Sequence, residues 1–299
     1  MSANDHTASD MTTVCASCGI AEVDDVKLKE CDGCDLVRYC SDECQKNHES
    51  EHEEECKKRA AELRDELLFK QPESSHLGDC PICSLPLSLD SKKRSVYSCC
   101  SKLICNGCGH ANKIREDNMR LRHSCPFCRE PLPKRECGKH HRMKRVEKDD
   151  PVAIRHKGIE QYHKRDYHSA FEYLSKAAEM GDVDARARLA ILYLEGHGVE
   201  KDREKAMFHL EIAVIGGHPF ARYMLGCEEN KNGNIDRGVK HWIIAATQGQ
   251  DESIKMLMNF FKKGCVEKED LAAALRAHKA AVDATKSPQR EAAEKYRRK

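Results

Sequence analysis

The 299-residue chain reads as a multidomain protein in which two small metal-stabilised α+β modules precede an all-α solenoid of helical repeats. Three observations predict this. Fifteen of the 18 cysteines lie between Cys15 and Cys128, and most come in pairs two or three residues apart. From residue 151 onward cysteines nearly vanish, and a helical pattern recurs every 32 to 36 residues. The length suggests two or three domains, and 34% charged residues with 5% aromatics agree with a soluble intracellular protein.

The first cysteine group is Cys15-x2-Cys18, Cys31-x2-Cys34, Cys40-x3-Cys44 and His52-x3-Cys56. The second is Cys80-x2-Cys83, Cys99-Cys100, Cys105-x2-Cys108 and Cys125-x2-Cys128. Two intervening residues let both thiolates face one side of a tight turn, as a tetrahedral zinc ion with sulfur ligands at about 2.3 Å requires. Each group offers eight ligands, enough for two ions, so about four zinc ions per chain are expected. Spacing alone permits sharing by neighbouring or by alternate pairs.

Disulfides are the competing use of paired cysteines, and compartment decides between them. Met1–Val14 has neither a basic n-region nor an apolar h-region, so no secretory signal is expected. The longest apolar runs, such as Leu189–Leu194, fall far short of the roughly 18 residues of a membrane span. A cytoplasmic or nuclear location follows, where reduced thiols favour metal. Lys plus Arg number 51 against 50 Asp plus Glu, and a net charge of +1 supplies no global attraction to nucleic acid.

Within the first group, Arg38-Tyr39-Cys40-Ser41-Asp42-Glu43-Cys44-Gln45, followed by His52 and Cys56, resembles the MYND zinc finger over residues 15–56. The resemblance implies Cys15, Cys18, Cys40 and Cys44 on one zinc, and Cys31, Cys34, His52 and Cys56 on the other. Ser41 suits a helix N-cap and Glu43 the first turn. His52 and Cys56 then fall one turn apart on one helical face. Such fingers resemble peptide-docking adaptors. Some take proline-rich ligands with a Gln after the sixth ligand and a Trp four residues later; here Gln45 is present and Glu49 takes the Trp position. His48 is read as a surface residue.

The second group, from Cys80-Pro81-Ile82-Cys83 to Cys125-Pro126-Phe127-Cys128-Arg129, resembles a RING finger. The resemblance implies a cross-brace, with Cys80, Cys83, Cys105 and Cys108 on one ion and Cys100, Cys125 and Cys128 on the other. The family's usual histidine falls on Lys102, whose ammonium has no lone pair. Cys99 is the expected replacement, with His123 and His110 as rivals. RING fingers form no covalent intermediate; they hold a ubiquitin-conjugating enzyme and favour attack on its thioester. By resemblance, Ile82 and Pro126 would form the apolar docking groove, and Arg129 would bridge to ubiquitin and the conjugating enzyme.

In the helical half, Ala177–Gly181, Ala213–Gly217 and Ala245–Gly249 repeat one pattern, as do Ala185 and Ala221, 36 residues apart. Phe171, Leu174 and Ala178, then Leu189, Leu192 and Tyr193, have helical spacing. The stretch Ala185–Gly217, with Leu192-Tyr193-x2-Gly196-x-Gly198-Val199 and Lys205-Ala206, resembles a Sel-one-like repeat, a relative of the tetratricopeptide repeat. About four units fit between Pro151 and roughly Ala281, the last degenerate. Such arrays present a concave face to protein partners.

The expected organisation is therefore a disordered N-terminus (1–12), the MYND-type finger (13–58), a helical linker (59–75) and the RING-like finger (76–132). A basic linker (133–150), the repeats (151–282) and a polar, fraying tail (283–299) complete it. Lys134–Lys148 carries seven Lys/Arg against two Glu and reads as a solvated linker. Cys137, Cys227 and Cys265 lack partners at ligand spacing, the last two reading as small buried hydrophobes. No phosphate loop, nucleophile elbow or catalytic Cys–His signal is present. The function expected is a zinc-binding interaction protein, with a RING-type E3 ubiquitin ligase whose other domains recruit substrates as the sharp version. A non-catalytic adaptor is the alternative, and a nucleic-acid-binding regulator resting on Lys134–Lys148 is disfavoured.

Overall fold

A single long helix organises the first module. The computed structural model describes residues 14–23, 25–132 and 135–297, with the side chains of 135–137 left out. The segment expected to be disordered at the N-terminus lies outside the described residues. Two units divide between Lys70 and Gln71. In the first, β1 (Lys29–Glu30) pairs antiparallel with β2 (Arg38–Tyr39), and α1 (Asp42–Phe69) follows at once. Ser41 caps α1 by accepting the Cys44 N–H at 3.2 Å, and Asp42 and Glu43 sit in its positive first turn. The finger's helical segments and the expected linker helix are thus one continuous 28-residue element. Arg59 on α1 clamps Asp35 through two bonds of 2.7 and 2.8 Å, fixing the loop that carries Cys34 to the helix.

The second unit begins with the other cysteine module. A 3-10 turn (Ser91–Lys93) leads into β3 (Arg94–Val96), which pairs antiparallel with β4 (Leu103–Cys105), and α2 (Asn106–Asn118) follows. Its buried centre is small: Leu87 and Ile104 packed with Cys80, Cys105 and Cys108.

Four helix pairs come next: α4 (Pro151–His163) with α5 (Tyr167–Glu179), α6 (Val183–Glu195) with α7 (Arg203–Ile215), α8 (Pro219–Lys231) with α9 (Ile235–Thr247), and α10 (Asp251–Lys262) with α11 (Lys268–Ala284). They are preceded by α3 (Arg135–Val146) and followed by α12 (Pro288–Arg297). Asp150, Asp166, Asp182 and Asp202 cap four successive helices by accepting the third N–H of each, and His218 does the same for α8. Gly181, Gly217 and Gly249 adopt φ of +86°, +75° and +89° just past helix ends, the left-handed turn that lets the next helix double back. Fully buried alanines, among them Ala177, Ala185, Ala213 and Ala245, let neighbouring helices approach closely.

Two expectations are corrected here. The basic run forms α3, which packs on α4, and Arg145 is half-buried instead of solvated. Its Nε donates to Ser101 Oγ at 2.9 Å and to Asp150 Oδ2 at 2.7 Å, joining the cysteine module to the first repeat. Lys134 falls outside the described residues. Residues 288–297, read as a fraying tail, form a helix lying against α2. A basic composition does not exclude a helix whose long side chains find carbonyl and carboxylate partners. Cys227 and Cys265 are half-buried against the cluster around Trp242.

Trp242, the chain's single tryptophan, is wholly buried and donates to the Tyr223 carbonyl at 3.2 Å. It rests on Gly226, where an added Cβ would lie 2.6 Å from the indole Nε1 and 3.0 Å from the Gly238 carbonyl. Gly226→Ala should therefore destabilise the repeats by about 1–3 kcal/mol through overpacking. Trp242 fluorescence during urea unfolding would register it as a lower midpoint, and an unchanged midpoint would refute this packing account.

Candidate functional site

Among the described residues, four groups of cysteine and histidine ligand atoms converge, all atoms within 4.8 Å of one another in each group: Cys15, Cys18, Cys40, Cys44; Cys31, Cys34, His52, Cys56; Cys80, Cys83, Cys105, Cys108; and Cys99, Cys100, Cys125, Cys128. None of their cysteines is disulfide-bonded. A tetrahedral ion with sulfur ligands at about 2.3 Å requires sulfur–sulfur edges of about 3.8 Å. The observed edges are 3.5 Å (Cys18–Cys40), 3.6 Å (Cys40–Cys44), 3.8 Å (Cys31–Cys56), 3.9 Å (Cys80–Cys108 and Cys83–Cys105), 3.8 Å (Cys100–Cys125) and 3.4 Å (Cys99–Cys128). Cys34 Sγ and His52 Nε2 are 3.1 Å apart, and a mixed sulfur–nitrogen edge around zinc would be shorter than a sulfur–sulfur one.

Thiol acidity makes the same point. Burial pushes the Cys15 thiol up, but the N–H groups of Cys18, Cys40 and Ser17 outweigh it and bring it down to about 6. In the same group, hydrogen bonds shared with Cys18 and then Cys44 push Cys40 up to about 12. Burial and the neighbouring Cys31 push Cys56 up to about 12. Once one thiolate forms, its neighbours cannot ionise without a cation among them, and thiolates are the form that binds metal. The four donor sets fit zinc.

In the first module β2 delivers Cys40, and α1 carries Cys44, His52 and Cys56. The second ring nitrogen of His52 has the Glu55 carboxylate as a neighbour at 3.9 Å, beyond hydrogen-bond distance. His48 is not a simple surface residue. Its Nδ1 meets the hydroxyl of buried Tyr39 at 3.0 Å, and its ring stacks on His52 with centroids 5.8 Å apart. Tyr39, desolvated and close to the thiols of both clusters, is pushed up to about 12 and stays protonated. A groove of about 690 Å³ runs beside this cluster, bordered by Tyr39, Gln45, Glu49 and Glu53.

In the second module Cys99 joins Cys100, while the two rival histidines are engaged elsewhere. His123 faces Glu116 at 3.4 Å and Asp117 at 3.3 Å, and His110 stacks on Tyr296 at 4.7 Å. The left-handed turn that lets the vicinal pair fold inward falls on Ser101, at φ +55°. Lys102 turns its ammonium toward the Phe127 ring, 5.8 Å from the centroid. Ile82 is 43% exposed, but Pro126 is buried and offers a partner little surface; the exposed apolar residue of that knuckle is Phe127. Arg129, at φ +63°, donates to Asn112 Oδ1 on α2 at 2.9 Å.

Sequence reasoning missed one polar cluster altogether. His76 and His218 stack at 4.1 Å, and Nε2 of each lies 3.3 Å from Asp184 Oδ1. The Nδ1 of His218 accepts the Ala221 N–H, so its ring proton sits on Nε2 and is donated to Asp184. Arg155 bonds the other carboxylate oxygen and also Asp182. This is a half-buried carboxylate flanked by Arg155 and two histidine rings, not an open ligand set. No local spacing signals it, since its members are 108 and 34 residues apart in sequence.

Comparison with known proteins agrees with two of the three modules. Residues 15–56 match the family profile of the MYND finger, and residues 152–182, 183–218 and 219–250 each match that of the Sel1 repeat. Chitin synthase regulatory factor 4 of Schizosaccharomyces pombe is 31% identical over 86 residues, covering 28% of this chain and 14% of that protein's length. Among solved structures, a Sel1 repeat protein from Oxalobacter formigenes is 22% identical over 59% of this chain and 72% of its own, with a TM-score of 0.44. A protective antigen of uropathogenic Escherichia coli displaying an SLR fold is 22% identical over 55% of this chain and 37% of its own, at a TM-score of 0.40.

Histidines buried in the helical unit set its response to acid. Burial holds His156 down to about 4 and, with the nearby Arg186, His209 down to about 4; burial also lowers His218. Neutral when folded, each takes up a proton in the unfolded chain below about pH 6.5, so stability is full above that pH and declines beneath it. The urea midpoint followed by Trp242 should fall between pH 7 and pH 5, and His156→Gln should flatten the decline. An equal slope in that variant would show that other groups govern it.

Proposed function

We propose that the protein is a zinc-dependent interaction adaptor, in which two metal-stapled modules and a helical solenoid each present surfaces to protein partners. The observation that carries this reading is the coexistence, among the described residues, of four zinc-compatible clusters with an array of Sel1 repeats. Between the second cysteine module and the repeats lies a groove of about 770 Å³ bordered by Pro72, Leu87, Leu89, Phe220, Gln248 and Glu252, within the volume range of ligand clefts. A relative named as a regulatory factor, though matched over a small part of its length, is compatible with such a role. A reducing compartment, cytosol or nucleus, suits the free thiols.

The finer reading is that residues 76–132 act as a RING-type ubiquitin ligase module. Support comes from the order of its ligands, since the first and third pairs converge separately from the second and fourth, and from the exposure of Ile82 and Arg129. Against it stand the burial of Pro126 and the engagement of Arg129 with Asn112, which transfer would have to break. The groove would then consist of Ile82 and Phe127.

Native mass spectrometry of the whole protein should find four zinc ions; fewer would remove centres from this account, and none would end it. Structural zinc in small fingers contributes about 10–16 kcal/mol of folding energy, so metal removal should unfold both modules. For the ligase reading, self-ubiquitination with activating enzyme and a panel of conjugating enzymes should be lost in Ile82→Ala and Arg129→Ala while zinc is retained. The first removes an aliphatic anchor that can carry about 2 kcal/mol or more at a small interface. A wild-type protein inactive across the panel leaves the adaptor.

A further inference from the structure

We infer that the C-terminal helix is part of a metal centre: Arg290 is the charge-balancing partner of the Cys80, Cys83, Cys105, Cys108 cluster, and α12 stays docked only while that centre is loaded. The inference rests on the reading that this cluster holds zinc.

Four thiolates around a divalent ion leave a net charge of 2−, and burying such a charge requires donors or a cation nearby. Arg290 supplies both from 207 residues away. One of its terminal nitrogens lies 3.4 Å from Cys83 Sγ and donates to the Leu85 carbonyl at 3.0 Å; the other donates to the carbonyls of Pro86 at 2.6 Å and Thr285 at 2.7 Å. The guanidinium thus wraps the chain just beyond Cys83 and ties it to the end of α11. Arg290 is only 8% exposed, and none of the described ion pairs gives it a carboxylate. Its Nε is buried without a partner. A desolvated cation surrounded by neutral carbonyls needs an anion, and the thiolates are the anions within reach.

The backbone is fitted to this contact. Gly107 stands one residue before ligand Cys108, and a Cβ there would meet Arg290 Cγ at 2.8 Å and its Cα and N at 3.0 Å. Gln289 donates to the Gly107 carbonyl at 3.3 Å, Lys93 pairs with Glu294 at 3.0 Å, and Tyr296 stacks on His110. Apart from Ala293 and Arg290, α12 buries nothing. A ten-residue helix of that composition does not persist alone in water, so its order depends on this anchor. Loss of the metal would dissolve the thiolate charge, release Arg290, and uncover the face of α2 that carries Gly107, His110 and Lys113. The centre is then a switch that reports its occupancy at the C-terminal end.

The test uses the full chain, with wild-type zinc content established first. Chelator challenge followed by N-ethylmaleimide labelling and peptide mass spectrometry reads each cluster separately; hydrogen–deuterium exchange reads residues 288–297. Arg290→Ala and Gly107→Ala should each speed labelling of Cys80, Cys83, Cys105 and Cys108 roughly ten-fold or more, as loss of an outer partner does. The Cys99, Cys100, Cys125, Cys128 cluster should be unaffected, and Arg290→Lys should restore part of the protection. Chelation of the wild type should raise exchange across 288–297. Unchanged labelling in both variants with zinc still bound, or protection of 288–297 that survives chelation, overturns the inference and leaves the zinc reading intact. A wild-type protein without zinc in this cluster overturns both.

Discussion

Thiol sulfurs gathered at 3.4 to 3.9 Å in groups of four repel one another as soon as they ionise, and the two cysteine modules are organised around that demand for a cation. The modules have little else to hold them. The second packs Leu87 and Ile104 with its ligand cysteines, with Leu77, Tyr97 and Leu103 partly buried around them, and the first relies on Tyr39 and one helix face. Strands of two and three residues cannot persist by themselves. They serve to aim ligands: β2 ends beside Cys40, and β4 ends in Cys105, whose sulfur also caps α2.

The second cysteine module and the solenoid form one unit, and polar anchors join them. Arg145 reaches Ser101 and the Cys99 carbonyl, His76 reaches Asp184, and Arg290 reaches the chain beyond Cys83. Each anchor brings a charged or ring nitrogen into a half-buried space where an unmet partner would be costly. The geometry of this module is thereby coupled to a rigid scaffold, a useful property for an adaptor that must hold two docking surfaces in register. It also restrains the ligase reading, since Arg129 and Pro126 are engaged in the module's own structure.

What could be read from the sequence was whatever depends on short spacing. Cys-x2-Cys turns, Ser41 as an N-cap and the glycines past the helix ends of the repeats are decided within a few residues, where backbone geometry leaves few alternatives. The grouping of Cys99 with Cys100, Cys125 and Cys128 needed the tertiary structure, because spacing alone admitted His123 and His110. Those histidines are diverted by Glu116 and by Tyr296, the latter 186 residues beyond His110. His48 was read as a surface residue, Arg145 as part of a solvated linker and Arg290 as part of a fraying tail for the same reason: a polar residue's burial depends on partners that local sequence does not contain. Periodicity in the chain announces a helix and its apolar face, but a charged side chain joins the core only where folding brings a distant carbonyl, carboxylate or thiolate to meet it.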